Sequence, residues 1–430
     1  MKDFATSADP AVQAQLNRLA QLSLPRGRFG LETIRALLGR LGDPQTRLPP
    51  VFHVAGTNGK GSTCAFLRSI LEAEGLTVHA ATKPHLVRYN ERIRVAGSLI
   101  SDAELAERLK EVLDAGEDLG PSFFEVTTAA TFLAFAETPA DCCIVEVGLG
   151  GRFDATNVIE RPAACAIASL GIDHEAFLLA PEEGAPLEPI ARIAFEKAGI
   201  VRRGRPLVTQ AYPEAAQLEI ERAALTAGAP LHMRGRDWSA RVGDSIEYED
   251  RHGRLDLPLP MMRGAHQADN ASLAVAMLRH QDFVPVGDRA LIAGIRGARW
   301  PARLQPLGHG PLTALVPKRE VWLDGGHNPD AGAAIGRHFD QPLHLVIGML
   351  ASKNPRAIVD PLQGCIATLS AVPIAGSECH PAEAFGPEAR GFESIQAALG
   401  ALPADGLPVL IAGSLYLAGE VLSANEEEPD

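Results

Sequence analysis

At 430 residues the chain is too long for one ordinary core, so two or three domains are expected. A hydrophobic share of 46% against 22% charged residues is that of a soluble globular protein. The formal charge of −13 argues against a nucleic-acid partner, whose phosphates need clustered Lys and Arg. Met1 to Pro10 carries no apolar signal core and no run of about 18 apolar residues could span a membrane, so a cytoplasmic location is expected. The six cysteines, at 64, 142, 143, 165, 365 and 379, form no Cys-x-x-Cys pair and read as reduced core residues, against a zinc site.

In chain order, Ala11 to Leu22 and Leu31 to Leu41 read as a helical lead-in ending at Gly42-Asp43-Pro44. Val51 to Val54 reads as a buried strand, followed by a glycine-rich loop and a helix over Ser62 to Glu74. Leu76 to Thr82 is a second strand. Ser101 to Ala115 is an amphipathic helix with Ser101 as N-cap, and Glu125 to Glu137 is an alanine-rich buried helix. Cys142 to Val147, Cys165 to Leu170 and Pro206 to Gln210 are strands, so helix and strand alternate as in an open, mainly parallel sheet. Residues 231–260 read as an antiparallel excursion before a helix over Ala268 to Arg279. Composition shifts near Gly297 to Pro306, which sets the expected domains at 1–297 and 298–430. Beyond it, strands at Val321 to Leu323, Leu343 to Met349, Cys365 to Val372 and Val409 to Ala412 predict a smaller α/β domain. The acidic tail from Asn425 is expected to fray.

The loop Gly56-Thr57-Asn58-Gly59-Lys60-Gly61-Ser62 places three glycines around one lysine between strand and helix. Bare backbone N–H groups and a helix N-terminus surround a phosphate in that geometry, and Lys60 adds a mobile charge. It departs from the strict P-loop pattern, with Val54 and Gly61 where Gly and Ser or Thr would stand. Glu146, at the end of an apolar strand before Gly148-Leu-Gly-Gly151, is costly unless a cation or hydrogen bonds satisfy it. A magnesium ligand facing the loop fits, and so does a strand-end glutamate capping a neighbouring helix. His174 is a ligand or a structural histidine. Lys197 is half of a surface pair with Glu196, or a lysine held near a metal that reacts with carbon dioxide to form a carbamate. Asn270 caps a helix or reads an adenine edge. Arg303 is a hinge residue or a solvated linker charge. Asp324-Gly-Gly-His-Asn-Pro329 is a turn, or an Asp–His pair suited to an amino acid's ammonium group at an interdomain cleft.

Taken together, these segments resemble, in order and spacing from about residue 30 to 422, the folylpolyglutamate synthase and dihydrofolate synthase family of the Mur ligase superfamily. The phosphate loop, Pro84 to Arg94, Phe123 to Thr128, Glu146 to Asn157, Glu196 to Ile200, His266-Gln-x-x-Asn270, Pro301 to Gln305, the Asp324 segment and Gly413-Ser-Leu-Tyr416 carry the resemblance. It implies an α/β fold: a P-loop-type, mainly parallel ATPase domain with a smaller C-terminal Rossmann-like domain. It implies a bifunctional ligase in which ATP phosphorylates a carboxyl group of 7,8-dihydropteroate or a reduced folate, and the amine of L-glutamate attacks the acyl phosphate. Lys60 and the loop from Gly56 to Ser62 would hold the triphosphate, with Asn270 and Arg303 on adenine and phosphate. Glu146 and His174, helped by Ser62 or Thr82, would hold magnesium, and a carbamylated Lys197 would support a second ion. Phe124, Asp154 and Ala155 would line a pterin pocket; Asp324, His327 and Ser414 would meet glutamate. A monomer without nucleic-acid or membrane partners is expected.

The chain also departs from the family. Lys83 stands where a metal-binding Ser usually precedes Pro84-His85, Gly326 stands for Ala, and Ser352-Lys-Asn354 for an Asp-Lys-Asp run. Leu178 to Pro189 is longer and richer in proline, with Leu179 for a common Gly. A nucleotide-binding member with impaired catalysis because of Lys83, and a Mur-type ligase of peptidoglycan precursors, are the competing readings.

Overall fold

The computed structural model describes residues 6–22, 30–173 and 175–429, and every count below is of those residues. The chain divides into two units: one of residues 1–83, 88–261 and 268–299, the other of residues 84–87, 262–267 and 300–430.

The first unit opens with helices α1 (Pro10–Gln21) and α2 (Glu32–Arg40). Strand β1 (Val51–Ala55) follows, then α3 (Lys60–Ala73) and β2 (Val78–Ala81). Two short strands that the sequence reading did not expect, β3 (Ile93–Val95) and β4 (Ser98–Leu99), precede α4 (Asp102–Gly116) and α5 (Phe123–Glu137). Then come β5 (Cys142–Glu146), β6 (Ala164–Ile167), the single turn α6 (Glu175–Leu178) and α7 (Pro189–Ala198). The run closes with β7 (Leu207–Thr209), α8 (Glu214–Ala227) and β8 (Leu231–Met233).

The eight strands lie in the order β4-β3-β2-β5-β1-β6-β7-β8. From β2 to β8 neighbours run parallel, and β3 and β4 turn antiparallel at one edge. All five residues of β1 are buried, the pattern of a strand covered on both faces. Phe52 and Val54 are wholly buried, and each contributes about 1.5–3 kcal/mol by leaving water. Helix α5 begins two residues earlier than its apolar run suggests, because Ser122 and Glu125 form a reciprocal capping box.

Residues 231–260 divide between two sheets. β8 extends the parallel sheet, whereas β9 (Trp238–Val242), β10 (Ile246–Asp250) and β11 (Gly253–Leu257) form a separate antiparallel sheet. Helix α9 (His266–Arg279) follows, and Arg279 pairs with Asp250 at 2.8 Å. Helix α10 (Asp288–Gly297), absent from the sequence reading, packs so closely on α3 that a Cβ at Gly294 would lie 2.3 Å from the Cα of Ile70.

The second unit carries β12 (Gln305–Pro306), β13 (Val321–Asp324), α11 (Pro329–Gly336), β14 (Leu343–Ile347), α12 (Arg356–Leu362) and β15 (Ile366–Ala371). It ends with β16 (Ala389–Gly391), α13 (Ile395–Gly400), β17 (Val409–Ala412) and α14 (Leu415–Ala424). Its sheet runs β12-β13-β17-β14-β15-β16 and is parallel apart from the β12–β13 pair. Both units are thus mainly parallel α/β layers. Among the described residues no helix is long and apolar enough to cross a membrane.

Candidate active site

In the first unit the chain leaves β1 between β5 and β6, so the loop from Gly56 to Gly59 sits in the crevice at the carboxyl ends of three parallel strands. Gly59 caps α3 with φ +80°, and a Cβ there would stand 2.4 Å from Oδ1 of Asn270. Only glycine meets both demands. The loop is tied to the segment after β6: the N–H of Thr57 donates to the carbonyl of Ser169 at 2.8 Å, and its hydroxyl donates to the carbonyl of Gly171 at 2.9 Å. Ser169 Oγ donates to the carbonyl of Asn58 at 3.2 Å. The ammonium of Lys60 lies back over the loop, 3.0 Å from the carbonyl of Gly56 and 3.2 Å from that of Thr57. Gly61 and Ser62 are buried in the first turn of α3, a helix of 14 residues whose positive end faces the crevice.

A small pocket open to solvent lies here, lined by Gly56, Thr57, Lys60, Val147 to Gly150, Asp173, Leu178 and Lys197. Lys197 is 3% exposed on α7 rather than on the surface. Burial, and then the nearby charge of Lys60, lower its pKa to about 7 against the pull of Asp173, Asp154 and Glu196.

Glu146 ends β5, paired in register with Val54, and is 3% exposed. Its Oε2 accepts the N–H of Lys83 at 2.9 Å, while Nζ of Lys83 donates to the carbonyl of Glu146 at 3.2 Å. That ammonium also stands 3.9 Å from the centre of the Phe124 ring. Burial lowers the Lys83 pKa to about 8, and the charges of Asp154 and Glu146 oppose the shift, so it remains mainly a cation at neutral pH. The hydroxyl of Thr82 donates to the carbonyl of Glu91 at 3.3 Å.

Asp154 is a hub of internal bonds. One oxygen accepts the N–H groups of Gly148 and Leu149 at 3.0 and 2.9 Å. The other accepts the N–H and hydroxyl of Thr156 at 3.0 and 2.6 Å. Thr156 in turn lies 2.9 Å from Nε2 of His53 in the middle of β1. Because the Thr156 proton goes to Asp154, His53 must donate from Nε2, which leaves its buried Nδ1 without a partner. Ala155 is buried in the adjoining apolar core. Asp154 therefore fixes the glycine loop, a role that its place in the sequence motif did not disclose.

A four-charge network that sequence reasoning missed borders Lys197. Arg152 and Arg192 both reach Glu182 and Glu196; Arg152 meets Glu196 at 2.7 Å, and Arg192 meets Glu182 at 2.9 Å and Glu196 at 3.1 Å. Arg192 also donates to the carbonyl of Leu178 at 3.0 Å. The extended, proline-rich segment from Leu178 to Pro189 is thereby anchored to α7 and to the loop after β5. Its unusual length was the available signal. His174 lies outside the described residues.

In the second unit Arg303 is flanked by Ala302 and Leu304, both in the left-handed region at φ +53° and +43°. Two bonds hold this conformation: Leu304 N–H to Asp324 Oδ2 at 2.8 Å and Gly325 N–H to the carbonyl of Ala302 at 3.0 Å. The other oxygen of Asp324 accepts the N–H of Gly326 at 2.7 Å. His327 Nδ1 lies 3.0 Å from the carbonyl of Gly325 and so carries a proton there. Ser414, at the end of β17 beside β13, caps α14 by accepting the N–H of Tyr416 at 3.1 Å. Arg303, Asp324 and His327 thus cluster at the ends of neighbouring strands. In the first unit the glycine loop, Lys60 and Lys197 line one pocket, Asn270 lies against Gly59, and Phe124 abuts Gly148. Glu146 and Asp154 flank the glycine segment after β5, whereas Thr82 is turned to the carbonyl of Glu91.

No protein-family model matches the chain. It is 34% identical over 407 residues to the dihydrofolate synthase/folylpolyglutamate synthase of Escherichia coli, covering 92% of this chain and 90% of that one. The structure of E. coli FolC in complex with DHPP and ADP superposes with a TM-score of 0.84 at 31% identity over 97% of each chain. A bifunctional folylpolyglutamate synthase/dihydrofolate synthase with Mn, AMPPNP and L-glutamate bound superposes with a TM-score of 0.83 at 30% identity over 99% of each. The chain belongs to the dihydrofolate synthase/folylpolyglutamate synthase family.

Proposed function

We propose that this protein uses ATP to activate a carboxyl group and joins L-glutamate to it, with dihydropteroate and reduced folates as acceptors. The observation that carries the reading is the pocket between the phosphate loop and Lys197, with a lysine on each side and a helix N-terminus at its floor. The loop amides and the α3 N-terminus would bind the β- and γ-phosphates, and Lys60 would swing from the loop carbonyls to follow the transferring phosphoryl group. Asn270, packed on Gly59, would meet the base, and Arg303 would meet phosphate. Phe124 and Ala155 would border the pterin, with Asp154 holding the wall in place. His327 and Ser414 would lie near glutamate, and Asp324 would hold Arg303 in position.

A divalent cation would neutralise the phosphates and withdraw charge from the phosphoryl group being transferred. Ser62, buried in the first turn of α3, is a hydroxyl suited to a nucleotide-bound ion, and Glu146 and His174 would add donors. Among the described residues no three His, Cys, Asp or Glu side chains converge as a metal cluster. The Lys83 side of Glu146 does not suit a divalent ion, because an ammonium is held on the main-chain carbonyl of that residue and would repel it. Lys197, with a pKa near 7, would present enough free amine to combine with carbon dioxide, releasing one proton and leaving an anionic carbamate. We place the protein in the cytoplasm as a monomer.

The test is direct. Purified protein with ATP, magnesium and L-glutamate is offered dihydropteroate or a reduced folate separately, and products are weighed by mass spectrometry. A gain of one glutamate on both acceptors is expected. No gain on either would refute the reading, and gain on one alone would restrict it to that activity.

A further inference from the structure

Lys83 has the surroundings of a fitted charge rather than a solvated one. Its main-chain N–H is held by the carboxylate of Glu146 at 2.9 Å, and its ammonium rests 3.2 Å from the carbonyl of the same residue. The ammonium also lies against the face of Phe124, at 3.9 Å from the ring centre. That ring abuts Gly148, where a Cβ would come within 2.4 Å of it, and Gly148 lines the pocket. The carboxylate therefore holds the Lys83 main chain, while a main-chain carbonyl and an aromatic face hold its ammonium, beside the strand end that leads into the pocket wall at Val147.

An ammonium offers three donors and no acceptor, so it cannot ligate a metal. Magnesium requires a near-octahedral shell of oxygens. A buried carboxylate needs a compensating charge, and the Lys83 ammonium, held on the main-chain carbonyl of Glu146, stands near enough to supply part of it without touching the carboxylate. A doubly charged ion on the same side would meet like-charge repulsion at short range.

We propose that Lys83 is a tethered counter-cation that closes this side of Glu146 to a divalent ion. The nucleotide-loaded protein accordingly binds one divalent ion fewer than a variant lacking the charge. The inference rests on the nucleotide-site reading above. It makes Lys83 a positioning residue that sets the metal requirement of the site.

The experiment counts Mn²⁺ bound per chain, by equilibrium dialysis and electron paramagnetic resonance, with a non-hydrolysable ATP analogue at saturation. Lys83→Ser and the near-isosteric Lys83→Met are each expected to bind one more ion than wild type. Lys83→Arg, which keeps the charge, is expected to match wild type and provides the decision if the neutral variants fail to fold. An unchanged count in the neutral variants, or a gained ion in Lys83→Arg, would overturn the proposal. Because the analogue is not turned over, the expected counts alongside absent glutamate ligation would refute the functional reading alone. Failure of wild type to bind the nucleotide would refute both.

Discussion

Asp154→Asn is the substitution whose cost can be worked most directly from the geometry. The carboxylate accepts four bonds, two on each oxygen, from Gly148, Leu149 and Thr156. A carboxamide keeps one oxygen and turns an NH₂ toward the other two donors. With its NH₂ toward Gly148 and Leu149 two bonds are lost. Turned toward Thr156 it can donate to the hydroxyl, and only the Thr156 N–H bond goes. At about 1.5–3 kcal/mol per bond, the local loss is about 1.5–6 kcal/mol. Hydrogen exchange read by mass spectrometry over residues 147–157 measures this where it occurs. Protection of those amides is expected to fall at least tenfold, the equivalent of about 1.4 kcal/mol. Nucleotide affinity should fall with it, since Gly148 and Leu149 line the pocket. Protection within threefold of wild type in a folded variant would mean that the hub does not hold the loop, and the reasoning would fail.

Three further outcomes are expected. Gly59→Ala forces a left-handed φ on alanine, at roughly 1–2 kcal/mol, and drives its Cβ against Asn270; calorimetry should register at least a tenfold loss of nucleotide affinity, and an unchanged affinity would contradict the cap geometry. Burial lowers the His53 pKa to about 3, below its unfolded value near 6.5, so its neutral form is the native one. Its stabilising contribution is complete above pH 6.5 and is lost as the pH falls toward 3, at up to about 1.4 kcal/mol per unit. The urea midpoint should drop between pH 7 and 5, less so in His53→Gln. Glu182→Gln leaves Arg152 and Arg192 short of one carboxylate, at roughly 2–4 kcal/mol, below the full cost of a dry pair because Glu182 and Arg152 retain solvent contact. Faster proteolytic cleavage within 178–189 is the sign to look for, and equal cleavage rates would count against the anchor.

The phosphate loop was legible because its signal is local. A β-branched run ends in three glycines around Lys60, and no distant residue is needed to see it. The parallel sheets were legible for the same reason, each strand being a short apolar run between helices. What escaped depends on neighbours far apart in the chain. Lys83 meets Glu146 only because β2 and β5 lie side by side, 63 residues apart at that point. Helix α10 was missed because Gly294 looks like a breaker, whereas it is the place where two helices nearly touch backbone to backbone. The motif around Asp154 suggested a ligand contact, and only the folded loop reveals four internal donors. The strands β3 and β4, three and two residues long, are too short to carry a period.

The loop from Pro301 to Leu304 has a thermodynamic consequence of its own. Two non-glycine residues in the left-handed region cost about 1–2 kcal/mol each, and the bonds from Leu304 to Asp324 and from Gly325 to Ala302 hold them there. The backbone of Arg303 is therefore ordered as its unit folds. Ala302→Gly would relieve the strain while enlarging the unfolded ensemble, two effects of similar size and opposite sign, so overall stability would hardly register the change. What such a glycine would alter is where entropy is lost. The phosphate proposed for Arg303 would meet a backbone already set, with the disorder it would otherwise have to remove surrendered before it came.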